Sequence, residues 1–147
     1  PEINESYVPY VVETSIGLDR MFLAVLSNSY TEEQLEDGNT RVVMKLPPVL
    51  APYKAAIFPL TKKDGLPEKA REIMEKLKVD YMCFYEEKDA IGKRYRRHDA
   101  IGTPYCVTVD HQTLEDNTVT IRERDSMKQE RISIDEISGV ISQRLKG

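Results

Sequence analysis

The stretch "IGKRYRRHDAIGTPYCVTVD", residues 91–110, decides the fold because it joins a helix pattern directly to a strand pattern. With about 100° of rotation per residue, one face of a helix over 91–101 carries Ile91, Tyr95, His98 and Ile101. Gly102 is a typical helix stop, and Pro104 cannot continue the helix. The run 105–109 is apolar. We therefore predict a helix that packs by one side, followed at once by a strand.

The sequence on both sides continues this alternation of strands and helices. Strands are predicted at 55–60, 81–85, 105–109, 118–124 and 128–132, and helices at 66–77, 91–101 and from Ser133 to about Leu145. The last helix begins with capping-box spacing between Ser133 and Glu136. Strands joined by helices are expected to be parallel, and hairpin strands antiparallel. The predicted fold is a compact three-layer α/β domain with a mixed, mainly parallel sheet flanked by helices.

The first forty residues follow a different pattern. Residues 7–14 are rich in valine and tyrosine, which is typical of a strand. From 17 to 28 the pattern is helical and apolar almost all round, so we expect a helix that is buried on most sides. Residues 31–38, "TEEQLEDG", are acidic and end in a turn signal, so we interpret them as a linker with one helical turn.

Composition indicates a globular protein with a real core, since the 147 residues are 40% hydrophobic and 31% charged. No apolar run approaches the roughly 20 residues of a membrane helix, and we find no secretory signal pattern. The chain opens on Pro1 with an acidic, strand-like segment, which we interpret as a cut made inside a longer protein. The compartment expected for such a protein is the cytoplasm.

Charge is distributed unevenly along the chain. The net charge is −4, but residues 88–97 carry five basic residues against one acid, so that the rest of the chain carries −8. A general nucleic-acid binder is therefore not expected. A local basic patch on an acidic body instead favours one directed contact with an anion.

Cysteine and histidine give no sign of a metal site. Cys83 and Cys106 lie in apolar runs without Cys-x-x-Cys spacing, so we expect two buried free thiols in a reducing compartment. His98 and His111 are 13 residues apart and supply no ligand cluster. We expect no metal bound to this chain.

The basic helix admits two interpretations. Lys93, Arg96 and Arg97 fall on the face opposite the apolar one, and Arg94 lies on the flank. These side chains could form an ordinary solvated face. Arginine, however, also suits planar, bidentate recognition of phosphate. Tyr95 could stack on a base, but its position on the apolar face favours core packing, as it does for His98.

A second polar cluster, Glu13, Ser15, Asp19 and Arg20, occupies eight residues at a predicted strand end and helix start. A helix N-terminus beside a glycine is a natural anion site, because free backbone N–H groups point at the ligand. Neither of the common phosphate-binding glycine motifs is present, and Ser15 has no histidine partner nearby. The residues alone allow half of a nucleotide or amine site, or a capped helix with an ion pair.

Longer motifs carry a resemblance that covers the whole chain. "VVETSIGLDRMFLAVL" resembles motif 3 of the class II aminoacyl-tRNA synthetases, most of all the dimeric glycyl-tRNA synthetases, whose pattern E-P-S-x-G-x-D-R has proline where Thr14 stands. "LPPVLAPYKAAIFPL", "IGKRYRRHDAIGTPYCVTVD" and "LEDNTVTIRERD" resemble their C-terminal anticodon-binding domain. The resemblance implies the end of a catalytic domain over 1–30, a linker over 31–40 and an anticodon-binding domain over 41–147.

The resemblance also implies roles for individual residues. Glycine would be bound by Glu13, Thr14, Ser15 and Gly17, and ATP by Gly17, Leu18, Asp19 and Arg20. Arg20 would be the catalytic arginine that binds the terminal phosphates of ATP and stabilises the charge of the leaving pyrophosphate. The glycine tRNA would be contacted by Lys93, Arg94, Arg96 and Arg97. Contacts to base edges are expected from Arg94, Thr103 and Arg122.

For the parent protein the resemblance implies a homodimer that joins glycine to its tRNA through a glycyl-adenylate, with ATP as substrate and Mg²⁺ assisting at the phosphates. Anticodons with cytosine as second and third letters would be read. Motifs 1 and 2 are absent from this sequence, so we expect the fragment to lack catalysis by itself and its apolar helix to fold back or to pair with another copy.

Two alternatives stay open at this point. One is a non-catalytic accessory module of the same fold that grips nucleic acid or a protein partner. The presence together of Glu13, Ser15 and Arg20 argues against it, since such a module need not keep them. The other is a ligase of the same class for proline, threonine or histidine, against which the E-x-S-x-G-x-D-R spelling argues.

Overall fold

The computed structural model describes residues 6–145. The helices are α1 Leu18–Ser29, α2 Leu66–Leu77, α3 Ile91–Ile101, α4 His111–Asp116 and α5 Ile137–Leu145, with short 3-10 turns at Pro48–Leu50 and Ile134–Glu136. The strands are β1 Tyr30–Gln34, β2 Thr40–Met44, β3 Ala55–Pro59, β4 Cys83–Tyr85, β5 Tyr105–Val109, β6 Thr118–Glu123 and β7 Gln129–Ser133. Of the helices described, none is both long and apolar enough to cross a membrane.

The main sheet has five strands in the order β4-β3-β5-β6-β7. Strand β3 lies between β4 and β5 and is parallel to both. Strands β5, β6 and β7 are antiparallel neighbours. The predicted mixed sheet is confirmed, because strands joined by a helix run parallel while the late hairpin reverses direction.

The two faces of the sheet divide the core in two. Ala55 and Ile57 of β3 belong to the larger apolar cluster, which residues of α2 and α5 complete. Their neighbours Ala56 and Phe58 point to the other face and pack with residues of α3. This is the two-residue period of a strand that is buried on both sides. The predicted three-layer arrangement follows from it.

Side-chain capping defines two helix starts. Ser133 and Glu136 form the predicted capping box at the turn before α5. Helix α4, which the sequence analysis did not predict, begins with a second box in which Asp110 accepts from the backbone N–H of Thr113 at 3.1 Å. Asx-and-threonine spacing at 110 and 113 was the signal for this helix, in a segment with little apolar periodicity.

The N-terminal expectations are partly wrong. Helix α1 is present, but the predicted strand over 7–14 is not, since residues 6–17 adopt no regular secondary structure. A strand needs a neighbour for its backbone N–H and C=O groups, and no segment within 6–145 pairs with it. The helical turn expected in 31–38 is also wrong, because β1 pairs antiparallel with β2 around Gly38 at φ 79°.

Helix α1 is far more exposed than its apolar sequence suggests. Leu18 is 80% exposed and both Phe22 and Leu23 are 64% exposed, so the expectation of burial on most sides is wrong for this structure. The helix does fold back over part of the domain, where an apolar groove of about 380 Å³ separates it from residues such as Met44 and Leu46.

Gly102 provides a test of how α3 is joined to the rest. It ends the helix at φ 92°, and a Cβ there would lie 3.0 Å from the Met44 carbonyl oxygen and 3.1 Å from Leu46 Cδ1. We expect Gly102→Ala to lower the free energy of unfolding by about 1–3 kcal/mol through left-handed strain and this contact. Urea titration of the variant measures the change.

Gly139→Ala is the matched control, because its Cβ would have no neighbour within 4 Å among residues 6–145, apart from its chain neighbours and the backbone of its own helix. Removing a glycine from the interior of α5 should stabilise by up to about 1 kcal/mol. Equal stability of the two variants would contradict the assigned role of Gly102.

Candidate nucleic-acid interface

An open groove of about 880 Å³ lies between α3 and the β6–β7 hairpin. Helix α3 and the residue before it contribute one wall, with Ala90, Gly92, Lys93, Tyr95, Arg96, Arg97 and Ala100. The hairpin contributes Arg122, Met127 and Gln129. Two of the lining residues of the helix, Gly92 and Ala100, have small side chains or none, which leaves space in the groove. The groove therefore combines room for a nucleotide with three basic side chains on one side.

The floor of the groove is formed by Arg122 and Tyr95, which contact each other. The Arg122 guanidinium carbon lies 4.8 Å from the centre of the Tyr95 ring, a cation–π distance. A hydrogen bond of 2.6 Å joins the Tyr95 hydroxyl to Thr108 Oγ1 on β5. Burial raises the pKa of the Tyr95 phenol. Tyr95 is thus held by packing, as the sequence favoured, and Arg122 covers one face of its ring.

One buried carboxylate organises this region. Arg122 donates from Nη1 to Asp99 Oδ1 at 2.8 Å and from Nη2 to Asp99 Oδ2 at 3.1 Å, a bidentate pair. Arg41 on β2 brings its Nε within 3.3 Å of Asp99 Oδ2. Burial disfavours the charge of Arg122, but the hydrogen bonds to Asp99 outweigh this and raise the pKa of the guanidinium. No pattern in the sequence had singled out Asp99.

Lys93 and Arg96 are the cations best placed to meet a ligand. Both are exposed along the groove. Among the residues described, no carboxylate lies within 4.0 Å of Lys93, and the nearest to Arg96 is Asp99 at 3.8 Å. Exposed cations without a close partner are the ones that can neutralise phosphates. Their predicted orientation is confirmed, while their role in binding tRNA stays a prediction.

Arg97 is more committed to the protein than the sequence suggested. Its Nη2 lies 2.8 Å from Glu86 Oε1, and its Nη1 donates to Asp89 Oδ2 at 2.9 Å. The hydrogen bond to Asp89 raises the pKa of this guanidinium. Two carboxylates already offset its charge, so we expect Arg97 to attract phosphate less than Lys93 or Arg96 does.

Arg94 was expected to contact tRNA, but its charge does not face solvent. Its side chain is buried and donates to the carbonyl oxygens of Pro59 and Asp89, the latter at 3.0 and 2.9 Å. Burial lowers the pKa of its guanidinium. The long side chain turns from the helix flank toward the end of β3, where unpaired carbonyls need donors. In this structure Arg94 holds the fold together and is closed to a ligand.

The other residues expected at base edges are also enclosed. Thr103 and Arg122 are both buried. A hydrogen bond of 2.9 Å joins Thr103 Oγ1 to Nδ1 of His98. His98 is buried as predicted, between Phe58 and Phe84, and burial lowers its pKa. Arg122 reaches the groove only as part of its floor, and Thr103 does not line it.

Gln129 is a groove residue that the sequence analysis missed. It stands directly opposite Arg122 in the β6–β7 pairing, so both side chains emerge on the same face of the sheet. Its side-chain amide is exposed and makes no hydrogen bond to any residue in 6–145. Counted from the turn, the predicted strand bounds, 118–124 and 128–132, would pair Arg122 with Glu130, so the observed register, which differs by one residue, was needed to place Gln129 there. An amide carries both donors and an acceptor for a base edge.

The second polar cluster is not assembled in this structure. All seven residues expected to bind glycine or ATP are exposed: Glu13, Thr14, Ser15, Gly17, Leu18, Asp19 and Arg20. Helix α1 starts without a side-chain cap, and neither Asp19 nor Arg20 has an ion-pair partner among the residues described. The capped helix with an ion pair is therefore not observed. The roles implied for these residues stay predictions.

A magnesium site is not recognisable within 6–145. No three of the His, Cys, Asp and Glu side chains described are grouped closely enough to hold a metal ion. Cys83 and Cys106 are free thiols, and burial raises the pKa of Cys83 to about 11 and that of Cys106 further.

Comparison with known proteins gives consistent matches. Residues 54–144 match the family of anticodon binding domains. Over 146 residues the chain is 53% identical to the glycine–tRNA ligase of Alkaliphilus metalliredigens and 55% identical to that of Clostridium tetani, covering 99% of the chain each time. It is 56% identical over 138 residues, 94% of the chain, to that of Borreliella burgdorferi. The chain spans 31% of each of these relatives.

The contrast between Arg94 and Arg96 can be tested by stability. Arg94→Met leaves the buried carbonyl oxygen of Pro59 and the partly buried one of Asp89 without this donor, which should cost about 1–3 kcal/mol. Arg96→Met, two residues away and 45% exposed at its side chain, should change the unfolding free energy by less than about 0.5 kcal/mol. Urea titration decides, and equal losses would contradict the assignment of Arg94 to the fold.

Proposed function

This chain belongs to the family of anticodon binding domains, and on that premise we propose that it is the C-terminal part of a glycine–tRNA ligase whose α3 groove holds the anticodon loop of the glycine tRNA. The observation that carries the proposal is the exposure of Lys93 and Arg96 along a groove of about 880 Å³ in a domain whose other arginines in this region are paired. Glycine is proposed as the amino acid because the relatives are named glycine–tRNA ligases.

A single-stranded loop suits this groove better than a duplex. Bases of an anticodon loop can leave the stack and enter a cavity, whereas the edges of paired bases in an RNA helix are hard to reach. Lys93 and Arg96 would take backbone phosphates and set the register of the loop. Only a few phosphates can be neutralised this way, so the contact is small and directed, as the net charge of −4 requires.

Selectivity needs groups that read base edges. Gln129 offers an amide with no protein partner among the residues described, beside the Arg122–Tyr95 floor. The resemblance implies that cytosines at the second and third anticodon positions are preferred. A cytosine edge presents one amino donor and two acceptors, and an amide can pair with such an edge in two places. Arg94 and Thr103 are buried in this structure, so we do not assign base recognition to them.

For the whole enzyme we propose the chemistry that the motif 3 resemblance implies. Glycine would lie near Glu13 and Ser15, and Arg20 would contact the terminal phosphates of ATP, offsetting the charge that develops as pyrophosphate leaves. The enzyme would act as a homodimer in the cytoplasm, with Mg²⁺ bound through residues outside this chain. The exposure of residues 13–20 supports a site that is completed by other parts of the enzyme.

The anticodon proposal predicts selective and salt-dependent RNA binding. The chain should bind a stem-loop with cytosine at the second and third anticodon positions more tightly than one with guanine there, by about 1–3 kcal/mol per changed base. Lys93→Met and Arg96→Met should each weaken binding to both loops and reduce the slope of log affinity against log salt by about one. Fluorescence anisotropy at several salt concentrations measures both.

Lys76→Met is the control for this experiment. Lys76 lies on α2, on the opposite side of the sheet, with its side chain 61% exposed. It should change neither the affinity nor the slope. If wild-type protein bound both loops equally at moderate salt, the proposed function would be wrong.

The catalytic proposal predicts a separation of functions in the full-length ligase. Arg20→Ala should lower glycine-dependent ATP–pyrophosphate exchange by about a hundredfold or more, since a charge-stabilising donor acts mainly in the transition state. Binding of the anticodon stem-loop should be unchanged. Normal exchange by the variant would remove Arg20 from the role proposed, and Arg71→Ala, on the domain surface, serves as control.

A further inference from the structure

We propose that Asp99 is a positioning residue for the groove: it holds Arg122 as a neutralised floor and leaves only the rim cations to meet RNA. The inference rests on the proposed function and assigns a specificity role to a side chain that does not itself touch the ligand. Asp99 lies on the inner side of α3 and is fully buried. The rim cations are Lys93 and Arg96, of which Arg96 is one helical turn from Asp99.

The contacts of Asp99 form a graded series. Arg122 is bound most closely, through two hydrogen bonds of 2.8 and 3.1 Å. Arg41 follows at 3.3 Å, and Arg96 is the most distant at 3.8 Å. The first two guanidinium groups are buried, while the side chain of Arg96 is 45% exposed. Arg96 is thus the partner that can exchange the carboxylate for a phosphate.

Positive charge is in excess around this carboxylate, even with Glu33, whose Oε2 lies 3.6 Å from Nε of Arg41. Three guanidinium groups face Asp99, and Nη1 of Arg41 has no hydrogen-bond partner within the part of the chain that the structure describes. Without the negative charge, both Arg122 and Arg96 would add positive potential to the groove. A groove with more mobile cations attracts any phosphate backbone, and the share of binding that depends on base identity falls.

The second consequence of the pair with Asp99 is a fixed orientation of the Arg122 guanidinium. The fork of Arg122 matches both oxygens of Asp99, and this fixes the guanidinium plane against the Tyr95 ring. A base entering the groove therefore meets a preset surface beside Gln129. A single hydrogen bond would leave Arg122 free to swing toward the phosphates.

Asp99→Asn tests the proposal, because the amide keeps the shape of the side chain and loses its charge. Relative to wild type, we expect a steeper salt slope by about one cation. The ratio of affinities for the cytosine and guanine loops should fall roughly tenfold, with affinity for the guanine loop increased. Adding Arg122→Gln to this variant should return the slope toward the wild-type value.

Arg124 is buried near the end of α3, where it donates to two backbone carbonyl oxygens, those of Gly102 and Leu46. Arg124→Gln is the matched control, since Arg124 is not an ion-pair partner of Asp99 and does not line the groove. It should lower the urea midpoint and leave the slope and the affinity ratio unchanged. Should Asp99→Asn fail to fold, Arg122→Gln alone decides. Asp99 would then hold Arg96 more closely, so the slope should become shallower, and an unchanged slope would overturn the proposal.

These measurements test the anticodon function and the role of Asp99 separately. Equal binding of both loops by the wild-type protein would refute the anticodon function itself. Selective wild-type binding together with an unchanged slope and ratio in Asp99→Asn would overturn only the role of Asp99 and reduce its ion pairs to structural ones.

Discussion

The bidentate ion pair between Asp99 and Arg122 is the interaction on which the layer formed by α3 and the β1–β2 hairpin depends. It joins α3 to β6, and Arg41 extends it to the β1–β2 hairpin. A buried carboxylate is costly to desolvate unless several donors surround it. Because Asp99 and its two buried donors come from three separate elements, helix, sheet and hairpin are fixed relative to one another by one charge. Arg124 reinforces the same junction, donating to the carbonyls of Gly102 and Leu46 at 2.9 Å each.

The cations of α3 fall into two classes, those paired within the domain and those exposed over the groove. Arg94 turns inward to the carbonyls at the end of β3, and Arg97 is held by Glu86 and Asp89. Lys93 and Arg96 stay outside, over the groove. A helix that looks uniformly basic in sequence is therefore mostly engaged in holding the domain together. What remains for a ligand is a small positive rim, suited to positioning a short RNA loop.

The groove and the segment that resembles motif 3 would have separate roles in the proposed glycine–tRNA ligase. The groove belongs to a folded domain that has its own core on both faces of the sheet. Residues 13–20 are exposed and make no site by themselves in this structure. The proposed binding of the anticodon loop can therefore be tested with this chain. The chemistry proposed for Glu13, Ser15 and Arg20 needs the rest of the enzyme.

Sequence by itself determined the helices and strands from residue 55 onward, apart from α4, because periodicity is a local property of the chain. It also placed Lys93 and Arg96 outward and His98 inward. It failed at 7–14 and 31–38, where strand formation depends on whether a partner strand is present. Only the tertiary structure decided which arginines are buried: Arg122 finds Asp99 across 23 residues, and Arg41 finds the Arg124 carbonyl across 83. Such pairs arise from the packing of distant elements, and no local pattern records them.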